Sequence, residues 1–262
     1  MRAALGQIFV SREWTENADT CVSLMREARG NGADLLLVPE GIIARDIREE
    51  GIAVRTAQAL DGPFMQRIMA ESKATGITFM GTIHVPAEPG RVYNVFVAVR
   101  GGELIAAYRK LHLYDAFSSL ESDTVTPGTE VPPLVEVAGV KIGLMTCYDV
   151  RFPELARRLA VDGADVLALP AAWVRGPLKE YHWQTLVTAR ALDNTCYVLA
   201  AGECGPRNIG ASMAVDPLGV VFARAGEAPA LIYADIDLKR LEHARSVLPV
   251  LLNRRFGRPE LQ

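Results

Sequence analysis

The chain has 262 residues, half of them hydrophobic and 23% charged, with a formal net charge of −3. That composition supplies a sizeable core and excludes a disordered chain, and a small charge without a basic run excludes nucleic acid or an anionic membrane as the expected partner. Four cysteines (21, 147, 196 and 204) are too sparse for a disulfide scaffold. Neither they nor His84, His112, His182 and His243 stand at metal-ligand spacing, so no metal and no cofactor are expected.

Residues 1–10 open directly into a strand pattern without the charged and apolar regions of a signal peptide. No apolar run approaches the ~20 residues of a bilayer span, so a soluble, cytoplasmic, single-domain chain over 1–262 is expected. In order, residues 2–9 predict a strand and 15–29 a helix closed by Gly30 and Gly32. Residues 33–41 read as a strand apolar on both faces, hence central in a covered sheet, and it delivers Glu40 to its carboxyl end. A helix over 63–75 and a strand over 77–85 follow, then a hairpin, 92–100 and 103–109, around Gly101-Gly102. Lys110 lies just past it.

Residues 111–130 show little regular pattern, a length that is unusual unless the loop is functional. A buried strand over 140–145 turns at Cys147 into a helix opened by Pro153-Glu154. A strand over 164–170, a helix over 178–193, a strand over 196–201, a pair over 209–215 and 219–224, a strand over 230–236 and a helix over 238–245 complete the chain. Strands and helices alternate at both ends with hairpins between them, which predicts an α/β fold with mixed sheets and helices on the outer faces.

Glu40, Lys110 and Cys147 all fall at strand ends. Singly they have plain readings: a loop acid, a solvated lysine and a core cysteine. Together they are a set that amide hydrolysis uses. A thiol is mostly protonated at neutral pH and needs a base, which Glu40 supplies if burial raises its pKa. Unpaired N–H groups at the Cys147 turn favour a thiolate and an oxyanion. Lys110 and the backbone N–H of Tyr148 are placed to hold the oxygen of a tetrahedral intermediate.

Pro39-Glu40-Gly41, Tyr108-Arg109-Lys110-Leu111-His112-Leu113-Tyr114-Asp115 and Cys147-Tyr148-Asp149-Val150-Arg151-Phe152-Pro153-Glu154 resemble, in order, the three signature blocks of the nitrilase superfamily of carbon–nitrogen hydrolases. The likeness covers nearly the whole chain. It implies a Glu–Lys–Cys triad at Glu40, Lys110 and Cys147, and a four-layer α–β–β–α sandwich with mixed sheets. It also implies a homodimer, with residues 246–262 as a dimer-contact tail. Glu121 stands where similar proteins carry an extra active-site glutamate, which orients the lysine or the attacking water.

Arg151, four residues after Cys147, is a natural fork for a substrate carboxylate, unless Glu154 or Asp149 claims it in a salt bridge. Trp173 and Arg175 are expected to line the acyl pocket, with core packing the plainer role for Trp173. The stretch from Cys196 to Gly205 is similar to the pattern of the deaminated-glutathione amidase branch. The chain departs from that branch at Glu203, where a glutamine is common, and at Lys179-Glu180-Tyr181, which expands the spacing before His182-Trp183. The expected activity is hydrolysis of the ω-amide of deaminated glutathione to 2-oxoglutarate and cysteinylglycine through a Cys147 thioester. The rivals are an ω-amidase acting on 2-oxoglutaramate, a catalytically dead interaction module and, more distantly, a nitrilase.

Overall fold

A computed structural model describes residues 1–46, 48–49, 51–117 and 119–262, so residue 118 of the expected 111–130 loop lies outside the described residues. In chain order the elements begin with β1 (Arg2–Gln7), α1 (Trp14–Gly30), β2 (Leu35–Leu37), α2 (Ile52–Thr56), α3 (Pro63–Thr75), β3 (Thr78–Pro86), β4 (Val92–Arg100) and β5 (Glu103–Arg109). They continue with β6 (Asp115–Ala116), β7 (Ser119–Leu120), β8 (Val135–Val137), β9 (Val140–Leu144), α4 (Pro153–Val161), β10 (Val166–Ala171) and α5 (Lys179–Asn194). The last are β11 (Tyr197–Gly202), β12 (Met213–Val215), β13 (Val221–Arg224), β14 (Ala230–Asp235), α6 (Leu238–Val247) and α7 (Val250–Asn253).

Two six-stranded sheets form, in the orders β14-β1-β2-β3-β4-β5 and β13-β12-β11-β10-β9-β8. Each has a parallel centre (β1-β2-β3 and β9-β10-β11) and antiparallel flanks, so both are mixed as the sequence predicts. Alternation along the strands sets the layers. Ala3, Leu5, Leu35, Leu37, Phe96 and Ala98 join the core between the sheets. Ala4, Leu36, Phe79, Val95 and Val97 face the other way, onto Met25 of α1 and Phe64 and Ile68 of α3. On the far side, α4 and α5 bring Leu155, Leu159, Trp183 and Val187 to the second sheet. The result is the expected helix–sheet–sheet–helix sandwich. Each of the fully buried leucines of β2 contributes about 1.5–3 kcal/mol of burial.

Several boundaries differ from the sequence expectation for local reasons. The strand expected over 33–41 is only Leu35–Leu37, because Pro39 has no N–H to continue the ladder; Val38 donates to the Met80 carbonyl and, beyond the turn, Ile42 donates to the Thr82 carbonyl. Glu40 therefore sits on the turn beyond the strand rather than within it. The strand expected over 209–215 is shortened to Met213–Val215, since Gly210 and Ala211 both adopt positive φ. β8, α2 and α7 are additions. The segment 111–130 has more structure than its sequence suggests. It holds the β6–β7 hairpin, a 3-10 turn at Glu121–Asp123 and a bridge from Val125 to Val92. It returns against β5 at Gly128, whose N–H bonds the Lys110 carbonyl and where any Cβ would collide with the Arg109 carbonyl. That contact fixes the backbone that carries Lys110. No helix among the described residues is long and apolar enough to cross a membrane.

Candidate active site

Glu40 follows β2, Lys110 follows β5 and Cys147 follows β9, so both sheets present these residues at strand carboxyl ends. Glu40, Lys110 and Cys147 are 5%, 2% and 7% exposed. Lys110 Nζ donates to Glu40 Oε1 at 2.9 Å and to Glu121 Oε2 at 2.8 Å and Oε1 at 3.1 Å. Asn94 Nδ2 donates to Glu40 Oε1 at 2.8 Å, and the Ala172 N–H donates to Glu40 Oε2 at 3.0 Å. Glu121 accepts the Tyr114 N–H at 2.6 Å. Both carboxylates are thus clamped on one ammonium, so the fold brings Glu40, Lys110 and Glu121 together.

Burial opposes charge on Glu40, but the Lys110 ammonium and the Arg45 guanidinium outweigh it and bring the carboxyl down to about 2. The sequence expectation that burial raises Glu40 is therefore reversed by its neighbours. Burial also works against the Lys110 ammonium, yet Glu121 and Glu40 hold it well above an ordinary lysine. Burial, reinforced by the Glu40 charge and only partly offset by Lys110, pushes the Cys147 thiol well above its ordinary value. At rest the site holds a carboxylate, an ammonium and a thiol, not the thiolate suggested by the turn's free N–H groups. An ionised Glu40 beside a protonated Cys147 is an arrangement able to take the thiol proton.

Cys147 opens a 3-10 turn, Cys147–Arg151, with φ 44. A left-handed residue without glycine is a strained position, found where the surrounding structure demands it. Asp149 supplies the restraint. It is fully buried and accepts the Tyr108 hydroxyl at 2.8 Å, the Thr146 N–H at 2.9 Å, the His112 N–H at 3.2 Å and a contact from His112 Nδ1 at 2.7 Å. The Cys147 turn is thereby tied to the loop that follows Lys110. The Tyr148 N–H, next to Cys147, has no hydrogen-bond partner among the described residues and is available for an oxyanion.

The predicted binding residues separate into two groups. Arg151 forms no salt bridge with Glu154 or Asp149. Its guanidinium lies 5.0 Å from the Trp173 ring and 5.9 Å from Tyr148, and Nη2 meets His182 Nδ1 at 3.5 Å. Among the described residues its buried Nε has no hydrogen-bond partner, and no carboxylate lies within ion-pair distance of it. Trp173 is buried against Trp183 and donates Nε1–H to the Lys179 carbonyl, so packing and the Arg151 contact both use it. Arg175 differs: it pairs with Glu227 at 3.0 Å and Glu180 at 3.9 Å, and no polar contact joins it to the triad among the described residues.

Four supporting residues escape the sequence reading as such: Asn94 and Arg45, which carry no clear signal, and His112 and Asp149, which stand inside the quoted blocks without a supporting role assigned. Arg45 Nη2 donates to the Glu40 carbonyl at 3.0 Å, and its Nε lies 2.7 Å from Glu203 Oε2. Gly41 makes this approach possible, since a Cβ there would stand 2.6 Å from the Arg45 guanidinium. Burial pushes the Glu203 carboxyl up to about 7 even though Arg45 pulls it down. A carboxyl raised in the fold gives its full stability below the ordinary value of 4.5 and loses it as pH rises through about 7. Glu203→Gln is therefore expected to gain in melting temperature over the parent as pH is raised across that range, with little difference at acid pH. Thermal melts on both sides of the range check this.

The chain matches the Carbon-nitrogen hydrolase family model over residues 2–246. It is 53% identical to a deaminated glutathione amidase of Escherichia coli O157:H7 over 261 residues, covering 100% of each chain. It is 59% identical to the protein YbeM of Escherichia coli K12 over 185 residues, which is 71% of this chain and 99% of that one. The crystal structure of the Caenorhabditis elegans NitFhit protein superposes with a TM-score of 0.90 at 29% identity. That match covers 97% of this chain and 65% of the longer NitFhit chain.

Proposed function

Because the chain belongs to the carbon–nitrogen hydrolase family and is an amide hydrolase, we propose that its substrate is deaminated glutathione and that Glu40, Lys110 and Cys147 perform the cleavage. The observation that carries the substrate reading is Arg151: a cation stacked on two aromatic rings, four residues from the nucleophile, with no carboxylate of its own. A 2-oxo acid supplies the missing carboxylate.

In the first half-reaction Glu40 accepts the Cys147 proton as the sulfur attacks the amide carbon. The oxygen takes the negative charge and rests on Lys110 Nζ and the Tyr148 N–H. Glu40 returns the proton to the nitrogen, the carbon–nitrogen bond breaks and cysteinylglycine leaves, giving a thioester. In the second half-reaction a water attacks the thioester carbon, Glu40 takes its proton and passes it to the departing sulfur, and 2-oxoglutarate is released. Glu121 keeps Lys110 aimed through both steps, since its two oxygens hold the ammonium whenever Glu40 is protonated.

We further propose that two copies pair in the cytoplasm as a homodimer with a metabolite-repair role. Leu252 and Phe256, 85% and 90% exposed in the 246–262 tail, support that pairing, because large apolar side chains this open suit a partner surface. Release of 2-oxoglutarate from deaminated glutathione and from 2-oxoglutaramate, run in parallel, tests the substrate. The expected kcat/KM ratio is at least about a hundredfold in favour of deaminated glutathione, some 2.7 kcal/mol. A ratio near one or below it refutes the substrate and leaves an ω-amidase.

A further inference from the structure

Two cations border the same indole. Arg151 lies 5.0 Å from the Trp173 ring, and Lys179 Nζ lies 5.6 Å from its centroid. Lys179 takes no part in the chemistry above, yet it is 4% exposed while Leu178 beside it is 68% exposed with φ 59. This reverses the ordinary order of apolar inside and charge outside. The left-handed backbone at Leu178, a non-glycine residue, adds strain. An inverted and strained pair beside a reactive centre marks an inward lysine with a task.

The surroundings of that ammonium define the task. It has three donors, and among the described residues one is used, on the Tyr114 hydroxyl at 2.8 Å. The faces of Phe117 and Tyr114 stand at 4.1 and 5.0 Å. No carboxylate of the described residues reaches it within ion-pair distance. Aromatic faces and one neutral hydroxyl compensate a buried positive charge only in part, so an incoming anion completes the site. Tyr114 connects the site to the reaction: its N–H holds Glu121, and its ring meets Tyr148 edge-on at 5.2 Å.

We propose that Lys179 is a specificity-determining residue that binds the carboxylate of the departing peptide, while Arg151 binds that of the 2-oxo acid; this rests on the amidase reading above. The two ends are assigned by their neighbours. Arg151 is flanked by Tyr148, next to the nucleophile, whereas Lys179 is flanked by Phe117, which is 68% exposed at the β6–β7 turn. The leaving amine has to exit on the open side, and water has to enter there before the thioester is cleaved. A leaving group of ammonia leaves Lys179 without an anion, so the residue favours amides whose nitrogen carries a peptide acid.

Steady-state kinetics of the full chain, Lys179→Met and Lys179→Arg test this on deaminated glutathione, on its C-terminal glycinamide analogue and on 2-oxoglutaramate. The unsubstituted enzyme is expected to prefer the free acid to the glycinamide by about tenfold or more in kcat/KM, chiefly through KM, for one charged contact. Lys179→Met is expected to erase that preference, and Lys179→Arg to keep most of it. Equal losses on all three substrates, or no preference for the free acid in the unsubstituted enzyme, overturn the assignment while the amidase reading stands. Failure of the unsubstituted enzyme to cleave deaminated glutathione overturns both.

Discussion

Cys147→Ala is expected to lower kcat for deaminated glutathione by at least about 10⁴-fold while leaving the fold intact, because the covalent route has no other nucleophile. Of the remaining cysteines, burial raises the thiols of Cys21 and Cys196 to about 12 and about 11, and all three are 0–1% exposed. Neither Cys21 nor Cys196 is placed by a carboxylate base; Cys196 Sγ instead meets the Ala164 and Asn194 carbonyls. The substitution removes a small side chain from a turn whose shape is set by Asp149 and its four contacts, so the melting temperature should move little. Kinetics and thermal melts on the same preparation separate the two effects.

Lys110→Met is expected to damage both activity and stability. Loss of an oxyanion donor accounts for about 10²–10³-fold in kcat. The larger structural effect is on the carboxylates that Lys110 bridges. With the ammonium gone, Glu40 is left buried without its main lowering partner, and removing one member of a buried ion pair typically costs about 3–5 kcal/mol. The pH dependence distinguishes this from a simple packing defect. In the parent, the depressed Glu40 carboxyl contributes stability above its ordinary value of 4.5 that is lost only as pH falls through about 2. In the variant Glu40 loses its largest lowering partner and moves up from its parent value, so the penalty is full at neutral pH and shrinks as acid protonates the carboxyl. Urea denaturation at neutral pH and near pH 4 reads that sign; an equal penalty at both contradicts it.

The proposed reacting residues were legible through strand ends and through three blocks that resemble the nitrilase signatures. Apolar runs before Glu40, Lys110 and Cys147 place each at the carboxyl end of a strand, and the fold brings Glu40 and Lys110, 70 positions apart, to 2.9 Å. The layers follow equally well from alternation in β1, β2 and β4. What the sequence does not reveal is how the reacting groups are held. Asn94 reaches Glu40 across 54 positions from the middle of a strand that reads as ordinary. Asp149, read only as a candidate partner for Arg151, instead collects donors from β5, the Lys110 loop and its own turn. Lys179 is the extreme case, because hydropathy places Leu178 inside and the lysine outside, and the backbone does the opposite. The charge balance on Glu40 is hidden for the same reason. Burial is guessable from a hydrophobic strand, but the guanidinium of Arg45 and the ammonium of Lys110 act through distances that only the fold sets.

The proposed amide cleavage proceeds through an acyl group on Cys147. Intact-protein and peptide-map mass spectrometry of enzyme quenched during turnover of deaminated glutathione addresses it directly. A 2-oxoglutaryl group on the Cys147 peptide, formed as cysteinylglycine is released and absent from Cys147→Ala, is the predicted result. Continued turnover by Cys147→Ala, or an acyl group found on a different residue, contradicts the mechanism.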